Sequence, residues 1–169
     1  QEGGLYSPTI NEIDFSVQCS DLQNSFYLVS KDQYEVELFK DHYITSGLLS
    51  TLKTNNKIIN VLGSIFAKEN GYENCLLLNE KKQIVEALNG NLFLVKGDVI
   101  KTPPLKDGCL KGIMRKQILA ILADLHDYDV KKYLYLLLNC KRPMRCLLLM
   151  LLQEFNLSQS IERNNTQTL

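Results

Sequence analysis

The stretch Val85 to Gly97, "VEALNGNLFLVKG", decides how the rest of the chain is read. Two apolar runs flank Asn89-Gly90, a dipeptide that favours chain reversal, so the stretch predicts paired strands. Glu86 stands near the end of the first run. Facing solvent beside a turn, it needs no explanation. Buried there, it must hold something positively charged, because a carboxylate without a partner does not stay ionised away from water.

Working outward, "NCLLLN" and "QIVEAL" before the reversal, and "NLFLVK" and "DVIKT" from it onward, predict four short strands joined by "EKK" and "KGD". Further upstream, "IDFSVQC" (Ile13 to Cys19), "SFYLVS" (Ser25 to Ser30) and "YEVELFK" (Tyr34 to Lys40) also read as strands, with polar Ser20 to Asn24 as a linker. Between these groups Ile58, Ile59, Leu62, Ile65 and Phe66 recur at helical spacing, and Gly71 stops the helix. "PPLKDGCLKG" (Pro103 to Gly112) cannot be regular structure. Beyond it Ile113, Ile118, Leu119, Leu122 and Leu125 predict a second amphipathic helix beginning near Gly112. Mixed strands with flanking helices define an α+β fold.

The 169 residues, 45% hydrophobic and 22% charged, suffice for one well-formed core. A formal net charge of zero argues against binding nucleic acid or a membrane surface through bulk electrostatics. Five scattered cysteines form neither a disulfide framework nor a zinc pattern and suit a reducing cytoplasm. Two histidines exclude a histidine-rich metal centre. The Leu-rich run from Tyr133 to Phe155 is broken by Lys141, Arg142, Pro143 and Arg145, leaving segments too short to span a bilayer, so a soluble protein is expected. The first residues, "QEGGLYSPT", are polar, do not resemble a signal peptide and lack a starting methionine, which suggests a fragment or processed product.

Three features carry chemistry. Lys53 lies in "STLKTNNK" ahead of the first helix, Glu86 closes a strand, and "CLKGIMR" (Cys109 to Arg115) leads into a helix start. There Gly112 lets the backbone approach a ligand, and the Ile113 and Met114 amides are helix-start donors suited to phosphate. A lysine, a strand-end carboxylate and an anion-binding helix start together suggest pyridoxal 5'-phosphate. The lysine forms a Schiff base, the carboxylate keeps the pyridine nitrogen protonated, and backbone amides take the phosphate. Each feature alone has a plainer reading: a solvated lysine, a turn-pairing carboxylate, a simple helix cap.

"VEALNGNLFLVKGDVIKTPPLKDGCLKGIMRK" closely resembles the signature of the class IV pyridoxal-phosphate aminotransferases. Glu86, Asn91, Phe93, Thr102, Pro103, Gly112, Ile113 and Arg115 occupy the signature's places, and Leu88 stands where a small residue is usual. The likeness extends upstream, where the family's Schiff-base lysine matches Lys53, and downstream to about Lys131. It implies that Lys53 is catalytic and moves a proton at the substrate Cα. It also implies that Glu86 pairs with the pyridine nitrogen, that Leu110 packs on the ring, and that Gly112, Ile113 and Met114 hold the phosphate. Asn91 and Thr102 brace the turn and the loop.

The implied organisation is the end of a small N-terminal domain (1–20), an interdomain linker (21–30) and the large cofactor-binding domain of the fold-type IV enzymes (31–131). A homodimer is implied, with an amino acid and a 2-oxo acid as substrates. The Lys-x-x-Asn in "KTNN" is closer to D-amino-acid aminotransferases and aminodeoxychorismate lyases than to branched-chain aminotransferases, and the Met in "GIMR" leans toward the lyases, which eliminate pyruvate in making 4-aminobenzoate. Ile58 stands where branched-chain aminotransferases carry a tyrosine. A third reading, from another class, is an inactive fragment or interaction module.

From Lys132 the likeness stops. Where the family has an Ala-Asp-Glu strand and a Gly-Ile-x-Pro-Val turn, Asn139 to Ile161 reads "NCKRPMRCLLLMLLQEFNLSQSI". Back-translated and read one base earlier, that segment permits Thr-Asp-Glu, Leu-Thr-Asn and Thr-Gly-Ile-Gln in the family's order. Lys131-Lys132 is a natural site for a slip on adenines. Residues 132–169 are therefore expected to be an out-of-frame tail lacking phosphate contacts of the family's turn; the family's phosphate-binding arginine would lie upstream of this chain. The alternative is a genuine C-terminal helix burying Leu147 to Leu152.

Overall fold

The computed structural model describes residues 6–21, 34–132, 144–150 and 154–159. The described elements form one mixed sheet with two helices, the α+β arrangement expected from the sequence. Strand β1 (Val36–Ile44) runs parallel to β2 (Asn74–Asn79), and helix α1 (Ile58–Glu69) makes the crossover between them. Strands β2, β3 (Ile84–Ala87), β4 (Gly90–Lys96) and β5 (Val99–Lys101) are antiparallel neighbours joined by tight turns. A second crossover, through α2 (Ile113–Asp124), leads to β6 (Asp129–Lys131), parallel to β5. Parallel neighbours require such crossovers, whereas antiparallel ones need only a turn. Strand β7 (Met144–Met150) lies antiparallel along β4, and β8 (Glu154–Gln159) along β7.

Alternation along the strands gives the sheet two faces. Leu38, Leu76, Leu78, Ile84, Leu92 and Leu94 form the core on one of them. On the other, Phe39, Cys75 and Leu77 pack against Ile59, Leu62, Phe66 and Ala67 of α1. Further along that face Phe93 and Ile100 meet Ile118, Leu119 and Leu122 of α2. Each such side chain taken out of water contributes roughly 1.5–3 kcal/mol. Both helices thus cover one face, with the middle strands running beneath the gap between them.

Several expectations are corrected. Ile13 to Cys19 forms no strand: Ile13, Phe15 and Val17 are all exposed, and a strand without a partner ladder has nothing to hold it. Ser25 to Ser30 lies outside the described residues. The stripe of α1 that packs on the sheet is buried Ala67 with half-buried Ile59, Leu62 and Phe66, whereas Ile58 and Ile65 are exposed. Leu125 caps α2 rather than packing beneath it. The Asn89-Gly90 reversal exists, but its loop is Leu88-Asn89 without left-handed backbone, and Gly90 already belongs to β4. Buried Asn74 holds that loop, donating to Asn89 Oδ1 at 2.8 Å and accepting from the Leu88 amide at 3.1 Å. Strands β6, β7 and β8 were not anticipated. The Leu-rich tail pairs as a strand at Met144–Met150 instead of the alternative helix, since a short, mostly apolar run fits either and the edge of β4 offers a ladder.

Candidate active site

Glu86 reaches the helix face through an irregularity in β3. Leu77 pairs with Glu86 but Leu78 pairs with Ile84, so Val85 is an extra residue in the ladder. In a regular strand Ile84 and Glu86 would share a face. The bulge separates them: Ile84 joins the opposite core, while Glu86 stands in line with its cross-strand partners Leu77 and Asn91. Glu86 is only 5% exposed, so it is the buried carboxylate of the two alternatives rather than a solvent-facing one beside a turn.

What faces Glu86 is polar on one side only. Its Oε2 accepts the Leu110 amide at 2.8 Å. Burial holds the carboxyl above the usual carboxylate range, and the Leu110 hydrogen bond and the positive charges of Lys57 and Lys53 pull it back down. Among the described residues no lysine approaches within ion-pairing distance of it. Among the described residues the site therefore contains a desolvated acid with cations nearby and no cation locked onto it.

The loop ahead of α2 is fixed from several directions. Thr102 Oγ1 donates to the Leu92 carbonyl at 2.8 Å, and Arg115 Nη2 to the Pro103 carbonyl at 2.9 Å. Asn91 Nδ2 donates to the Leu110 carbonyl at 2.8 Å, which also takes the Gly112 amide at 2.9 Å. A Cβ on Gly112 would collide with Asn91 Oδ1, so glycine is required here by the asparagine, a reason different from the ligand approach expected. Helix α2 then starts at Ile113 with no side-chain cap, and Ile113 is itself exposed. Met114 forms the first turn beside it. Cys109 is buried in the same loop and donates to the Pro103 carbonyl; burial pushes its thiol up to about 11, which makes it structural rather than nucleophilic.

Lys53 is exposed, in the loop between a 3-10 turn (Leu49–Thr51) and α1. That loop is tied to the α2 loop, since the Lys111 amide donates to the Thr51 carbonyl at 3.0 Å. Ahead of the 3-10 turn the chain is held at Ser46, whose amide and hydroxyl both donate to the Glu80 carboxylate. Asn60 of α1 donates to the Leu88 carbonyl at 2.6 Å, bringing the start of α1 to the end of β3. Leu88 lies on α1 against Gly63, where any Cβ would meet it, so the unusual leucine is accommodated by a glycine on the helix. The structure thus brings the Lys53 segment, Glu86, Leu110 and the α2 start together. Sequence reasoning missed Lys57, whose signal was its place four residues after Lys53, at the N-cap of α1.

The family model for amino-transferase class IV matches residues 22–133, and the chain belongs to this family. Branched-chain amino acid aminotransferase 2 of Humulus lupulus, a chloroplastic protein, is 39% identical over 83 residues, covering 47% of this chain and 20% of the relative. The branched-chain aminotransferase structure of Escherichia coli superposes with a TM-score of 0.65 at 20% identity, over 74% of this chain and 43% of that one. A Legionella pneumophila structure provisionally described as a 4-amino-4-deoxychorismate lyase gives a TM-score of 0.67 at 21% identity, over 78% and 49% of the two chains. These structural likenesses establish the fold. The chain spans less than half the length of each of the three.

Proposed function

We propose that this chain is the cofactor-binding part of a pyridoxal-phosphate-dependent class IV aminotransferase, which moves an amino group between an amino acid and a 2-oxo acid. The observation that carries the reading is Glu86, a buried carboxylate turned by a bulge toward the helix face of the sheet and, among the described residues, without an ion-pairing partner. The residues present fit the cofactor. Glu86 would face its pyridine nitrogen, Leu110 its ring, and Gly112, Ile113 and Met114, at the uncapped start of α2, its phosphate. When bound, the cofactor supplies an electron sink for the substrate's Cα–H bond. Lys53, on an exposed and tethered loop, would attach the cofactor and move the proton at the substrate Cα. Glu86 would hold the ring nitrogen's proton in a site where desolvation strengthens that pairing.

The test is incubation of the chain with pyridoxal 5'-phosphate, borohydride reduction and peptide mass mapping. A reduced adduct on Lys53 that vanishes in Lys53→Ala supports the reading. No adduct at saturating cofactor would instead identify an inactive or purely interacting fragment. The lyase alternative keeps "KTNN" and "GIMR" in its favour; pyruvate released from aminodeoxychorismate without an added oxo acid would establish it. A homodimer is the expected assembly, consistent with exposed apolar Leu48, Leu49, Ile58 and Val61. Among the described residues no helix is long and apolar enough to cross a membrane, and the cysteine pattern favours a cytoplasmic or similarly reducing compartment.

The domain boundaries belong to the same proposal, as does an out-of-frame tail after Lys132. The family match ends at residue 133, beside the Lys131-Lys132 pair where a slip is expected. Sequencing the gene across those codons decides it: codons that forbid the shifted reading would show the tail to be genuine.

A further inference from the structure

Glu86 and Asn91 are cross-strand partners, one on β3 and one on β4, and both reach the same residue of the loop beyond. Glu86 Oε2 takes the Leu110 N–H at 2.8 Å, and Asn91 Nδ2 gives its hydrogen to the Leu110 C=O at 2.8 Å. These two groups belong to the two peptide planes on either side of Leu110, so together they fix both. A Cβ on Gly112 would collide with Asn91 Oδ1, so glycine at 112 is what leaves the amide side chain room to hold this position. Asn91 is 6% exposed, so water does not compete for this bond as it would at the surface. We propose that Asn91 is a positioning residue: by clamping Leu110 it commits one oxygen of Glu86 to the loop and leaves the other for a cationic ring nitrogen. This inference rests on the cofactor reading above but concerns a different residue.

The groups facing Glu86 can be named from each element around it. The loop before α2 offers the Leu110 amide and the buried Cys109 thiol, β2 offers only apolar Leu77, and β4 offers Asn91, which is uncharged. Lys53 and Lys57 contribute positive charge from the segment leading into α1. Of these, the Leu110 N–H is the one hydrogen bond that favours the charged carboxylate, and Asn91 governs its aim. Loosening it leaves desolvation less opposed, so Glu86 gives up its proton at higher pH.

The experiment follows the Glu86 carboxyl by ¹³C NMR through a pH titration of the full, cofactor-free chain, in Asn91→Ala and in the shorter but polar Asn91→Ser. The expected result is an upward move of the Glu86 midpoint in both. Thr102→Val, which removes another hydrogen bond from the same loop, should lower thermal stability without moving it. Cofactor binding, read by borohydride trapping, should weaken about tenfold in the Asn91 variants, with the larger loss on the acid side. An unmoved midpoint in a folded Asn91 variant overturns the proposal, whatever the chain does with cofactor. Should neither variant fold, the Leu110 amide resonance of the unmodified chain decides: titration with the Glu86 midpoint supports the clamp, and indifference to it overturns the clamp. Failure of the unmodified chain to bind cofactor strikes the functional reading alone, because the midpoint is measured without it.

Discussion

Glu86 stabilises the wrong thing for folding and the right thing for binding. Its carboxyl titrates above the usual range in the folded chain, mainly because it is buried. A raised folded-state value means that the contribution to stability is full at low pH and is lost as pH rises through the folded midpoint. Glu86→Gln keeps an acceptor for the Leu110 amide and removes the desolvated charge. The variant should raise the melting temperature of the cofactor-free chain at pH 7–8 by about 2–4 °C, the effect of roughly 1 kcal/mol in a domain of this size. It should also weaken cofactor trapping by more than about tenfold, and calorimetry beside trapping measures both. The sequence announced the residue but not its surroundings. Lys53, Glu86, Leu110 and Gly112 were legible because they fall at fixed places in a family pattern. Lys57 and the Leu110 clamp were not, since spacing says nothing about which side chains face one another across strands.

At the scale of elements, short strands and both helices could be read from periodicity, and the turns from Gly, Asn and Lys-rich connections. The bulge at Val85 could not, because "QIVEAL" looks the same whether Ile84 and Glu86 share a face or part company. Nor could the α1 contact with Leu88, which depends on the small Gly63 opposite it. This contact makes a coupled prediction. Gly63→Ala in the unmodified chain should destabilise it by at most about 1 kcal/mol, because the new methyl group meets Leu88 Cδ2, the end of a half-buried side chain that can turn aside. In a Leu88→Ala background the same change should be nearly neutral or stabilising, since alanine favours the helix and now fills space. A double-mutant cycle by chemical denaturation gives the coupling, and additive effects would mean the two residues do not meet.

For the whole molecule the decisive residue is Arg115. It is 6% exposed, it gives one hydrogen bond to the Pro103 carbonyl, and its Nε has no partner. Among the described residues no carboxylate pairs with it. A buried cation in that state is stabilised little, and replacement by an apolar side chain of similar length is often neutral or better. Arg115→Met should therefore leave the melting temperature of this chain unchanged or raise it. A separate consequence follows from the Lys111 to Thr51 hydrogen bond that joins the two site loops. Every group placed in the groove between the helices lies between that threonine and the first turn of α2. All of them are encoded ahead of the Lys131-Lys132 codons, so a one-base slip there leaves every one of these residues unchanged.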